Sequence, residues 1–378
     1  VKSVRRKLQI SGGVLLAASL VVSVAAGGCQ LIAGLTGNYM IEPTSDAGPG
    51  KDAGGGGGDD AGNNTGCESA QPPAPPPETA GGGTISFVVA VRTVDLGDLG
   101  DTPGYDLDHI CTCTDDAGPS CLSPTSHCDV PGTGIDNSAA GLIQLVESTS
   151  SNVNFHSTNL DTTANEGKWT LLIQVSDYNG EPDDFDVNVA LYPSSGLGST
   201  PSWDGSDMWP VEPSSVGEGG VSDPVYTSLG AYVSGGVLVA GLPNVGIVFS
   251  GGSTFSLSLV SGILTGKLVK GAHGWSITDG IVAGRWPTQA VFEVLSTIQT
   301  GGAPICTNSP LFSVAKNAIC NAADIRANAS DPPTLPCDAI SMGFGFAADP
   351  AQIGGLGPQS TFDGGCPPGT DPSTTMCN

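Results

Sequence analysis

Positive charge is what this chain has least of: 12 Lys and Arg stand against 37 Asp and Glu, a formal net charge of −25. Such a chain repels nucleic acid and anionic lipid over a Debye length, so a nucleic-acid partner is excluded. The acidity fits the solubility of an exposed surface, and carboxylates are also what divalent cations seek. Aromatics are scarce at 6%, and only His109, His127, His156 and His273 are there to serve as a general base. No H-E-x-x-H, phosphate loop or dinucleotide fingerprint occurs. The run Ala339-Ile340-Ser341-Met342-Gly343 imitates a hydrolase elbow, but it lies in Gly/Phe-rich, strand-like chain where that motif has no turn into a helix. Paired carboxylates of the kind glycosidases carry are missing from the predicted strands. Helical signals are few. Asp136 is placed to cap a short helix with Leu142, Ile143 and Leu145, Thr288 opens TQAVFEVLSTIQ, and Ser309-Pro310 opens PLFSVAKNAIC.

Gly and Pro are abundant instead, at 56 and 29 residues. Between them lie β-branched or alternating runs such as GTISFVVAVRTVDLG, KWTLLIQVSDY, FDVNVALY, TFSLSLVSGILTGKL and WSITDGIVAGRW. In one of them Phe255, Leu257 and Leu259 alternate with Ser256 and Ser258, a strand with one buried and one wet face. Seven or more strands are implied, Trp275 and Trp286 sitting within them. The array predicts a mainly β domain over 84–378, a β-sandwich of jelly-roll type with a few short edge helices, stabilised by disulfides.

The amino-terminal end has a different character. A basic stretch, VKSVRRK, precedes an apolar run from Leu8 to about Ala26, and small residues then lead to Cys29. This order is that of a signal peptide over 1–28. The segment Val24-Ala25-Ala26-Gly27-Gly28-Cys29 resembles the lipobox of bacterial lipoproteins, with Ala26 where that family usually has Leu. The resemblance implies cleavage before Cys29, diacylglycerol on its sulfur and, with Gln30 following, an outer-membrane lipoprotein that is periplasmic or surface-exposed. Several acyl chains, at about 0.8 kcal/mol per buried CH₂, suffice for stable anchoring. Removal of the leader would take Lys2, Arg5, Arg6 and Lys7 with it and leave eight basic against 37 acidic residues, a net of −29. From 29 to 83 the expected mature chain is a tether, and from about Pro43 its Gly, Asp and Pro composition cannot bury enough surface to fold. Its root-mean-square reach is very roughly 35 Å.

Eleven cysteines in an exported chain suggest a disulfide framework, and if Cys29 carries lipid the other ten can pair as five bridges. The cluster of Cys111, Cys113, Cys121 and Cys128, with His109 and His127, lacks zinc-ligand spacing and reads as two local disulfides. Cys111 and Cys113 should take different partners, because neighbours in C-x-C cannot easily bridge. Among Cys67, Cys306, Cys320, Cys337, Cys366 and Cys377, the pair Cys306–Cys320 is expected locally, around a helix. Acidic loops offer oxygen ligands suited to Ca²⁺, with Asp106 and Asp108 in one and Asp183 and Asp184 in another; ordinary turn chemistry, in which Asp bonds nearby backbone, is the competing and simpler explanation. In WDGSDMW, Trp203 and Trp209 flank Asp204 and Asp207, a set that could stack and hydrogen-bond a sugar or plug a loop over a sheet.

The blocks GYDLDHICTC, WDGSDMW, DGIVAGRW and PCDAISMGFGF are similar to a group of secreted or lipid-anchored Cys-rich proteins of high-GC predatory bacteria. The likeness spans most of 84–378 and implies a cell-envelope context without an activity. The expected function is a lipid-anchored envelope protein presenting a non-catalytic module for carbohydrate, protein or Ca²⁺. A structural envelope protein without a small ligand, and an extracellular carboxylate-dependent hydrolase, are the alternatives.

Overall fold

The structure, a computed structural model, describes residues 67–99, 102–113, 118–149, 156–228, 230–250, 254–300, 303–360 and 365–377. Cys29, the leader and most of the tether lie outside the described residues.

Eight strands form a closed wall: β1 (Ile85–Asp95), β2 (Thr170–Tyr178), β3 (Asp184–Ser194), β6 (Ala231–Ser234), β7 (Val237–Ser250), β8 (Thr254–Gly271), β9 (Gly274–Pro287) and β12 (Ala339–Leu356). Each pairs antiparallel with the next in that order, and β12 returns to β1, with Val88 opposite Ala351 and Val94 opposite Phe346. Short strands β4 (Met208–Val211) and β5 (Tyr226–Thr227) attach outside the circuit, β4 running parallel to the far end of β12. A two-stranded ribbon, β10 (Gln299–Thr300) with β11 (Ala303–Pro304), stands apart. The expected β-sandwich is therefore wrong, and the fold is an up-and-down β-barrel. Alternation requires only that one face of each strand be buried, a condition that sandwich and barrel satisfy alike. The deciding pairing, β1 with β12, joins the two ends of the domain and leaves no local trace in the sequence.

The buried face is the inside of the barrel. Val89 and Val91, Leu171 and Ile173, Val189 and Leu191, Leu257 and Leu259, and Ile340, Met342 and Phe344 alternate into one continuous core. At one end Phe249 packs against Trp169, Phe255 and Phe344, with ring centroids 5.0, 5.1 and 5.8 Å away. Phe87, Tyr178 and Trp275 form a second aromatic group. Apolar side chains thus fill the interior while Ser258, Lys267 and Lys270 are exposed on the wall, the reverse of a membrane barrel with its outward apolar band. Among the described residues no helix is long and apolar enough to cross a membrane.

Four helices pack on this core: α1 (Ser138–Thr149), α2 (Ser157–Asn165), α3 (Thr288–Leu295) and α4 (Phe312–Ala322). Helix α3 begins at the expected Thr288 and buries Val291, Phe292, Val294 and Leu295. Helix α2 has almost no apolar periodicity. It is held by Leu160, fully buried, and by Trp169, whose Nε1 donates to the Leu160 carbonyl at 3.1 Å.

Five disulfides join Cys67–Cys111, Cys113–Cys128, Cys121–Cys337, Cys306–Cys366 and Cys320–Cys377. All ten cysteines after Cys29 are paired, and Cys111 and Cys113 do take different partners. The expected Cys306–Cys320 bridge is not formed: α4 carries Cys320 to the carboxy-terminal segment at Cys377, while Cys306 meets Cys366. The Cys111–Cys128 cluster likewise closes only one bridge within itself. Residues 67–83, assigned by composition to the tether, lie along the barrel: Ala70 donates its N–H to Thr133 and Tyr232 donates its hydroxyl to the Pro73 carbonyl.

Candidate functional site

The segment Pro103–Ile110 crosses the outer wall of the barrel. Gly343 of β12 makes this possible, since a Cβ there would lie 2.3 Å from the Pro103 carbonyl oxygen. Tyr105 and Leu107 turn toward the wall and bury against Ala283, Ile325 and Ala339, and the Tyr105 hydroxyl is 2.8 Å from Thr265 Oγ1. In extended chain alternate side chains point opposite ways, so Asp106 and Asp108 share the other side. Asp136 joins them from the next segment, its N–H donating to the Tyr105 carbonyl and its Oδ2 accepting the Leu107 N–H at 2.7 Å. It is not the helix cap that the sequence suggests, because that carboxylate is turned back onto the crossing segment.

Asp106, Asp108 and Asp136 each present an oxygen, all within 4.8 Å of one another. Asp106 and Asp136 are buried, and Asp108 is half-buried. The Ile110 N–H is shared between Asp108 Oδ1 at 2.9 Å and Asp106 Oδ1 at 3.2 Å. Asp106 Oδ2 has no hydrogen-bond partner although the residue is only 1% exposed. Gly134 is needed beside it: with φ +63° and a Cβ that would approach Asp106 Oδ2 to 3.1 Å and Cys111 Sγ to 2.9 Å, no larger residue fits.

Behind the triad stand Asp129, which accepts the Thr112 N–H at 2.5 Å, and Asp324, which accepts the Ser341 N–H and hydroxyl at 2.8 and 2.5 Å. Burial, then the negative charges of Asp108, Asp129 and Asp324, push Asp136 up to about 10. Burial also lifts Asp129 to about 6 and Asp324 to about 7, and it raises Asp108. Gathering carboxylates away from water disfavours their charged forms, and protons hold the group together when no cation does.

Asp106 and Asp108 border an open cleft of about 390 Å³, lined also by Gln71, His109, Ser120 and Arg285. Arg285, from β9 and 5% exposed, donates from Nη2 to the Leu107 carbonyl at 2.6 Å, while its buried Nε has no partner. The buried Ser120 hydroxyl stands beside Asp108 and, as a donor, favours its charged form. A buried atom without a partner costs about 1–3 kcal/mol, and Asp106 Oδ2 and Arg285 Nε are both gathered at this cleft. His109 and Ser261, at its rim, hold left-handed φ values of 60° and 49°.

The other sequence candidates are placed elsewhere. Asp183 and Asp184 do not join Asp106 and Asp108: Asp184, fully buried, accepts the N–H groups of Asn179 and Asp186, and Asp183 accepts that of Gly235. That is turn chemistry. The WDGSDMW loop closes over the outside of the barrel. Trp209 is fully buried among Ala90, Leu172, Tyr192 and Val211, so it has no face for a sugar. Trp203 packs on it at 5.6 Å and lies under the Arg92 guanidinium at 5.3 Å. Asp207 accepts the N–H groups of Ser202 and Trp203, and exposed Asp204 accepts that of Ser206. Ser341 is fully buried near the start of β12, with strand continuing on both sides of it and no turn into a helix, which removes the imitation elbow. The members that sequence reasoning left out of the site are Asp136, read as a cap, and Arg285, a lone basic residue in a strand; only the burial of charge marks them. Compared with known proteins, the chain matches no family, no curated protein and no solved structure.

Proposed function

We propose that this is an exported envelope protein, anchored by lipid on Cys29, whose barrel is a non-catalytic binding module with its ligand site in the cleft on the outer wall. The observation that carries the anchoring is the cysteine pairing. With the other ten in bridges, Cys29 is the one sulfur left for another fate, and five bridges suit an oxidising compartment. The acidity of the chain and the polar outer wall support display in water. Binding rather than hydrolysis is favoured by arrangement: the three carboxylates converge, one oxygen each, on a common point, where glycosidases set two carboxyl groups on either side of the scissile bond. Intact mass of the native polypeptide, extracted from membranes with detergent, tests the anchor. Acyl groups on an amino-terminal Cys29 are expected, and a Cys29→Ser variant should keep its leader and lose the acyl mass. A native chain without an acyl adduct, or with the leader still attached, overturns the proposal.

A further inference from the structure

We infer that Asp106, Asp108 and Asp136 form a divalent-cation site, and that its ion is Ca²⁺. This deepens the binding-module reading and is independent of the lipid anchor. The three ligands come from two segments of chain, 103–110 and 130–136, held side by side by the Asp136 N–H on the Tyr105 carbonyl and through Ala70, which accepts from Asp106 N–H and donates to Thr133. Their oxygens fit one ion. Contained within 4.8 Å, they can all reach a single ion. Three protein carboxylates are a Ca²⁺ ligand set, since Ca²⁺ accepts six to eight oxygens in flexible geometry, whereas Mg²⁺ keeps several waters and is usually held by one or two carboxylates with substrate phosphates.

The second observation is the orphan oxygen. Asp106 is 1% exposed, its Oδ1 receives the Ile110 N–H, and its Oδ2 is buried without a donor. A carboxylate oxygen so placed requires a partner that the protein does not itself provide. None of the ion pairs among the described residues involves these three aspartates. Arg285, the nearest candidate, directs Nη2 to the Leu107 carbonyl instead. The Ile110 and Leu107 N–H groups fix one oxygen of each carboxylate, which orients the set before any ion arrives. The open cleft supplies water for the remaining coordination positions, as Ca²⁺ with six to eight ligands needs.

Thermal unfolding and titration calorimetry of the full mature chain test this, with CaCl₂, MgCl₂ and EGTA as the additions. Saturating CaCl₂ should raise the unfolding midpoint by about 5 °C, EGTA should reverse the rise, and MgCl₂ should give a smaller one. Asp136→Asn keeps an acceptor for the Leu107 N–H, and Asp108→Asn alters a half-buried position; each should fold and weaken Ca²⁺ binding at least tenfold. Asp204→Asn, an exposed control, should respond as the parent does. A parent protein that shows no heat and no midpoint change with CaCl₂ overturns the site, leaving the cleft for an organic ligand. A Ca²⁺ response undiminished in both Asp108→Asn and Asp136→Asn also overturns it, while preserving a cation-binding module elsewhere.

Discussion

The Cys121–Cys337 bridge is expected to contribute more to stability than any other. It closes a loop of 216 residues, against 15 for Cys113–Cys128. By chain entropy the longer loop removes roughly 5.4 kcal/mol of freedom from the unfolded state, and the shorter about 3 kcal/mol. Packing acts in the same direction. Cys121 is fully buried and Cys337 is 6% exposed, both against Ala323, whereas Cys128 is exposed. Replacing each pair by Ala–Ala avoids burying a hydroxyl and leaves the remaining bridges oxidised. Guanidinium unfolding followed by tryptophan fluorescence should then show the Cys121→Ala/Cys337→Ala variant losing about 2 kcal/mol more than Cys113→Ala/Cys128→Ala. Equal losses in the two variants, or a smaller loss for the long loop, would refute the reasoning, as would peptide mapping that finds Cys121 joined to Cys128.

Two further outcomes follow from the buried groups. The carboxyls of Asp324, raised to about 7, and Asp136, raised to about 10, stay protonated in the fold at pH values where the unfolded chain, near 3.8, has released them. Their contribution is fully present below about pH 4 and is lost as pH rises, for Asp324 through about 7. The Ca²⁺-free protein should therefore be less stable at pH 8 than at pH 5, by up to roughly 3 kcal/mol from Asp324. Asp324→Asn should flatten that slope in a pH series of thermal melts, and a stability that climbs from pH 5 to 8 contradicts the assignment. Trp209→Ala should cost about 3–5 kcal/mol by emptying a buried site, and Trp203→Ala less; a Trp209→Ala protein of parental stability would show that the loop is no plug.

The strands were legible because their alternation is local: Phe255, Leu257 and Leu259 mark an inward face without reference to anything else. Closure was not, since the pairing of Val88 with Ala351 is invisible to any short window. Helix α3 announced itself through Thr288 and a row of apolar residues, but α2, STNLDTTAN, gains its shape from docking, with Ser157 N–H on Asp98 and Trp169 on Leu160. The same division holds at the site. Asp106 and Asp108 stood out as neighbours in an acidic loop, whereas Asp136 looks like a cap until the chain before it pairs with 103–110. Loop proximity also misled the bridge assignment, because α4 moves Cys320 away from Cys306 and toward Cys377.

A wall whose first and last members touch imposes an order on its own assembly. A chain delivered from its amino-terminal end leaves β1 with one row of N–H and C=O groups unsatisfied until β12 arrives, after every other strand. Such long-range pairing makes for slow maturation. Through that interval the bare flank of β1 invites strands of neighbouring molecules, a hazard that ends only when the final staves are in place.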